Sequence, residues 1–230
     1  MALTTGIETC IDISMYKRNQ VEMAISAVLE QGVNQPGLGL RTRVKRLLDT
    51  DRALGCNRRS NVLENVNFAF FREAAPGSGF EVSFSAYDAF ALLVGLQLMM
   101  HNWPQRFAVS VLRRVRLPLE KEYERILKLD PEILFDQKAI ERSRVSGSAA
   151  FDTTAPAVLA ICSHYQISRE QEQAPYSCSV HSSLDSATNW ISETTKGVGG
   201  GASMFELTVV AHHLARALER TKPQPRGRTA

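Results

Sequence analysis

Between Phe68 and Phe84 apolar and polar positions alternate. Phe68, Phe70, Phe80, Val82 and Phe84 lie on one side of the alternation, Ala69, Phe71, Glu81 and Ser83 on the other. A period of two marks a strand with one buried face. The run Glu73-Ala74-Ala75-Pro76-Gly77-Ser78-Gly79 between the two halves consists of turn formers, so residues 66–84 predict a β-hairpin. The period then changes. Ser85 and Asp88 are spaced as a capping box, and from Ala86 to Met100 only Asp88 and Gln97 interrupt an apolar run. A helix apolar on every side is a buried one, and this run is shorter than the roughly 20 residues that cross a bilayer. His101-Asn102 ends it, and Pro104 suits the first position of the next helix. There Phe107, Ala108, Val111, Leu112, Val115, Leu119, Tyr123, Ile126 and Leu127 form one stripe, with Arg106, Arg113, Arg114 and Arg116 mostly off it. Pro118 cannot donate to the Arg114 carbonyl, which predicts a kink or a split. Asp130-Pro131 starts a further short helix containing Ile133, Leu134 and Phe135.

Upstream, Ile11 and Ile13 suit a short strand. Asn19 with Glu22 opens a helix in which Val21, Ala24, Ile25, Val28 and Leu29 keep helical spacing until Gly32. A turn at 33–39 leads to a second helix, 40–54, with Leu40, Val44, Leu47, Leu48 and Leu54 inward. Its outer surface carries Arg41, Thr42, Arg43, Lys45, Arg46, Thr50 and Arg52, and Gly55 ends it. Downstream, 144–150 reads as a linker. Residues 157–162 and 176–180 read as buried strands. Ser182 with Asp185 opens a helix carrying Leu184, Ala187, Trp190 and Ile191, closed by Lys196-Gly197. Ser203 with Glu206 caps a last helix, in which Met204, Leu207, Ala211, Leu214 and Leu218 face inward. The fold class expected is mainly α with a β-hairpin wing, like a winged helix-turn-helix, plus a small α/β C-terminal domain. The division drawn is 1–140 for the helical domain, 141–155 for the linker, 156–221 for the α/β domain and 222–230 for a disordered basic tail.

Composition adds a charge asymmetry. The chain has 230 residues, 44% of them hydrophobic, and a net charge of only +3. Residues 36–60 nevertheless hold seven basic and two acidic side chains, and 106–128 hold seven and three, whereas 151–203 hold two and five. The basic half points to nucleic acid. The start has no basic segment followed by an apolar core, and four cysteines make no disulfide framework. The expectation is a reducing, cytoplasmic setting with free thiols and no membrane.

Two helices followed by a hairpin is the layout in which a basic second helix enters the major groove and the wing lies along phosphates. The run Tyr87-Asp-Ala-Phe-Ala-Leu-Leu-Val-Gly-Leu-Gln-Leu98, followed by Asn102-Trp103-Pro104, adds a second helix pair. Over residues 19–117 this order resembles that of MerR-type transcription regulators. The turn at 33–39 is longer than that family's, and Thr42-Arg43-Val44 stand where it carries an Arg-Tyr pair. The resemblance implies a dimeric, bacterial-type DNA-binding regulator. Arg41, Thr42, Arg43, Lys45 and Arg46 would lie in the groove, with Arg58, Arg59 and Arg72 on the backbone and an unknown effector on the C-terminal domain. The alternative is an interaction or scaffold protein without catalytic activity, its stripe over 107–127 partly open as an oligomer seam.

Other chemistry is weaker. Cys162, His164, Cys178 and His181 are ligand types for zinc, but their spacings match no common zinc module. They are read as a packed strand cysteine with polar loop residues, and no metal or other cofactor is expected. Gly197-Val-Gly199-Gly200-Gly201-Ala-Ser203 lacks the Gly-Lys-Ser/Thr of a phosphate loop and follows a helix rather than a strand. Ser182, Ser183, Cys178 and His181 are close in sequence but form no Gly-x-Ser-x-Gly elbow, and His212-His213 diverge on a helix, one of them expected at the surface near Glu206 or Arg220. The protein is not expected to be an enzyme.

Overall fold

A computed structural model describes residues 14–30, 35–72, 82–143, 151–164, 176–196 and 200–222, except the side chains of residues 143 and 164. Strand β1 (Tyr16–Lys17) runs straight into α1 (Arg18–Leu29). The Lys17 amide donates to Gln20 Oε1, so the expected Asn19–Glu22 box is displaced; Glu22 instead holds Arg18 at 2.7 Å. Helix α2 (Leu38–Leu54) buries Leu40, Val44, Leu47 and Leu48 as expected, and ends at Gly55, whose φ of 65° is open to glycine. The short α3 (Leu63–Val66) and strand β2 (Ser83–Phe84) follow.

The predicted hairpin is not formed in its first half. Residues 68–71 are not a strand, and β2 pairs antiparallel with β1, Tyr16 opposite Phe84. Side chains have taken the backbone groups that a ladder would use. The amides of Ala69 and Phe70 donate to the buried Asp51 carboxylate at 3.1 and 3.0 Å, and Arg116 donates to the carbonyls of Phe68 and Ala69. The expected turn at 73–79 lies outside the described residues.

Helix α4 (Ala86–Met100) is the hub. Ser85 Oγ accepts from the Asp88 amide and Asp88 Oδ2 from the Ser85 amide, so the capping box is present. Phe90, Leu92, Leu93 and Leu98 are fully buried, each such side chain contributing about 1.5–3 kcal/mol relative to exposure. At Gly95 a Cβ would stand 3.1 Å from Leu112 and 3.3 Å from Leu47, so the glycine sets how closely α2 and the next helix approach.

That next helix is split. α5 (Gln105–Arg114) breaks at Val115, and α6 (Arg116–Leu127) restarts so that Pro118 falls in a first turn, where its missing N–H has no intrahelical partner to lose. Two short helices, α7 (Pro131–Leu134) and α8 (Gln137–Ser143), complete the first half.

Beyond residue 150, β3 (Val158–His164) and β4 (Tyr176–His181) pair as consecutive antiparallel strands, and α9 (Leu184–Thr195) follows. Ser183, not Ser182, caps α9. β5 (Gly200–Glu206) then adds to the other edge of β3, giving the order β4-β3-β5. The expected helix start at Ser203 is therefore strand, and α10 (Thr208–Arg220) begins later, with Glu206 accepting its first amides. Val158 and Ala160 pack with Ala187, Leu184, Trp190 and Ile191 of α9; Leu159, Ile161 and Phe205 face the helices.

α10 returns to the N-terminal half. It packs mainly on α1 and also on α6 and α4, and Gln20 donates to the Thr221 carbonyl at 3.2 Å. One apolar core thus runs from Val21 to Leu218. Residues 144–150 of the expected linker lie outside the described residues.

Candidate nucleic-acid interface

The arginines divide into two sets. The first was counted in the second basic helix and is structural. Arg113 is 1% exposed. Its Nε meets Asp51 at 2.6 Å, its other nitrogens donate to the carbonyls of Gly55, Glu64 and Asp51, and it lies over the Phe68 ring. Burial raises the Asp51 carboxyl above its ordinary value, against the downward pull of Arg113 and the Ala69 and Phe70 amides. Arg116 is buried against Asp88 and the Tyr87 ring. Arg114 meets Glu64 at 2.6 Å and stacks on Tyr176, whose hydroxyl donates to the same carboxylate. These three tie residues 55–70 and β4 to the helical core, so they are not free to meet a phosphate.

The second set is exposed. Arg41, Thr42, Arg43, Lys45 and Arg46 are all exposed around the part of α2 outside its buried stripe, and Arg58, Arg59 and Arg72 are exposed beyond it. Arg41 stands 4.0 Å from Glu22, and Arg52 pairs with Asp49. Among the described residues Arg43, Lys45, Arg46, Arg58, Arg59 and Arg72 make no ion pair. Helix α2 is held by its inner leucines and by Gln105, which donates to the Arg46 carbonyl and Thr50 hydroxyl. Arg106, Lys121 and Lys128, also exposed, are members of the expected second basic stretch that stay outside the structural network. Leu38 in the first turn of α2 is 82% exposed.

The other candidates separate. Cys162 pairs with Ser177 and Cys178 with Ile161, so the two thiols point to opposite faces of the sheet. Cys178 and His181 do so too, being three apart on one strand. No group of three or more metal-ligating side chains occurs among the described residues, and the His164 side chain is outside them. Burial pushes the Cys178 thiol up to about 12, away from a reactive thiolate. His181 Nδ1 lies 3.0 Å from Ser186 Oγ on the α9 side. The glycines at 200 and 201 belong to β5 rather than to a helix start, which removes the anion-site argument. Of the two adjacent histidines one, His213, is exposed, whereas His212 is buried with its Nε2 3.2 Å from the Ile126 carbonyl, and burial lowers its pKa. No helix among the described residues is long and apolar enough to cross a membrane.

What the sequence hid was the division among arginines. Arg113 and Arg116 follow a buried stripe by one position, and Asp51 falls on the inward face of α2, seven residues after Val44 and three after Leu48. That inward acid was the available signal. No protein family, no curated protein and no solved structure matches this chain.

Proposed function

We propose that the protein binds double-stranded DNA as a transcription regulator, with α2 in the major groove. The observation that carries this reading is the contrast between the arginines: Arg113, Arg114 and Arg116 of α5 and α6 are consumed by Asp51, Glu64 and Asp88, while Arg43, Lys45 and Arg46 are exposed without ion pairs among the described residues. A helix of 17 residues spans about 25 Å at 1.5 Å per residue, and the major groove admits one helix. Arg41, Thr42 and Arg43, near its N-terminus, reach base edges; Lys45 and Arg46 meet backbone. Leu38 suits a thymine methyl group. Arg58, Arg59 and Arg72 extend the phosphate contacts. A homodimer on an inverted repeat completes the reading.

The test is binding to a duplex pool at low salt. The Arg43→Ala/Lys45→Ala/Arg46→Ala variant loses at least about tenfold in affinity, since these contacts carry the electrostatic term. Unchanged affinity refutes the reading. A second reading, an interaction protein, draws on exposed apolar side chains away from α2: Leu117 at 65% and Ile133 at 67%. A stable heteromeric complex together with no DNA binding selects it.

A further inference from the structure

A second site is built where the last turn of α4, strand β5 and the start of α10 meet. An open cleft of about 290 Å³ lies there, with Gln97 and His101 on one wall, Phe205 and Glu206 on another, and Phe151 and Asp152 at its side. This is near the lower end of ordinary ligand pockets, about 300–1,000 Å³. Among the described residues no Lys or Arg lines it.

Three features agree on what it takes. Glu206 has no counter-charge among the described residues: its oxygens accept the amides of Thr208 at 2.6 Å and Val209 at 3.0 Å, and no cation pairs with it. Burial pushes its carboxyl up to about 7, and Asp152 nearby adds to the rise. Gln97 Oε1 is buried with no donor among the described residues, an acceptor whose desolvation nothing offsets. The remaining walls are apolar, aromatic at Phe151 and Phe205 and aliphatic at Met204, Val209 and Val210, with the His101 ring edge-on to Phe205 at 5.2 Å. Carboxylates, an orphan acceptor and ring faces in a space several water molecules wide suit a compact organic cation.

We propose that this cleft binds a small organic ammonium ion, its charge held by Glu206 and Asp152, an N–H or polarised C–H given to Gln97 Oε1, and its carbon skeleton against Phe151 and Phe205. The site is separate from the basic face of α2 and stands whether or not that face binds DNA. It gives Gln97, the polar interruption in the apolar run of α4, a use that packing does not.

The experiment is thermal unfolding and calorimetry of the full chain with choline, tetramethylammonium and putrescine. The neutral isostere 3,3-dimethylbutan-1-ol and magnesium chloride are the controls. At least one ammonium compound raises the melting temperature as a ligand of the folded state does, and the neutral alcohol and magnesium do not. Gln97→Leu removes the orphan acceptor and keeps the fold, and weakens ammonium binding at least about tenfold. Glu206→Gln does the same where it folds; since Glu206 also caps α10, Gln97→Leu carries the decision if it does not. The proposal is overturned if no ammonium compound binds, if the alcohol or magnesium stabilises equally, or if Gln97→Leu binds like the wild type.

Discussion

Asp51 and Arg113 show how much one buried pair decides. Asp51 receives the guanidinium and two backbone amides, and Arg113 reaches the carbonyls of Gly55 and Glu64. Removing one partner leaves the other charged and desolvated, which costs about 3–5 kcal/mol. Arg113→Met and Asp51→Ala are each expected to lower stability by that amount in urea unfolding, and the double variant to lose less than the sum of the two. A loss under about 1 kcal/mol for Arg113→Met contradicts the role given to it. Glu206 is the second residue with a measurable consequence. Its carboxyl titrates near 7 in the folded chain against an ordinary 4.5. Between those values the unfolded chain releases a proton that the folded chain keeps, so this group's contribution falls as pH rises through the window and is level outside it. Unfolding midpoints at about pH 5 and about pH 8 are expected to differ less in Glu206→Gln than in the wild type; an unchanged difference refutes it. None of this was legible from composition, where Arg113 and Asp51 entered as unlike charges in separate tallies.

At the scale of elements, local signals were followed wherever the backbone satisfied itself. The capping box at Ser85 starts α4 where the spacing predicts, and Ser85→Ala is expected to cost about 1 kcal/mol in unfolding free energy. The inward leucines of α2, the break before Pro118 and strands β3 and β4 were readable for the same reason. The misses have one cause. In residues 68–71 the alternation was real, but Asp51 and Arg116, distant in sequence, took the ladder's hydrogen bonds. Residues 200–206 read as glycine loop and helix cap because the pairing partner of β5 lies some forty residues earlier, in β3. Period and caps report what a segment does with its neighbours; they do not report a side chain arriving from another helix.

At the scale of the whole molecule, the C-terminal helix closes the N-terminal one. α10 packs on α1 within one apolar core, so a fragment of residues 1–143 is expected to show no cooperative unfolding transition; a sharp one would contradict that packing. The outer face of α2 is exposed, with Arg43, Lys45 and Arg46 in no ion pair among the described residues, and the account of function depends on that face. The most direct measurement is the salt dependence of duplex binding, from about 50 to about 200 mM, for the wild type, the Arg43→Ala/Lys45→Ala/Arg46→Ala variant and Arg106→Ala. The prediction is a steep decline in wild-type affinity, with the slope of log K against log salt reduced by about 0.9 for each phosphate contact removed. No binding at low salt, or a triple variant with the wild-type slope, would contradict the account and leave α2 as a solvated face.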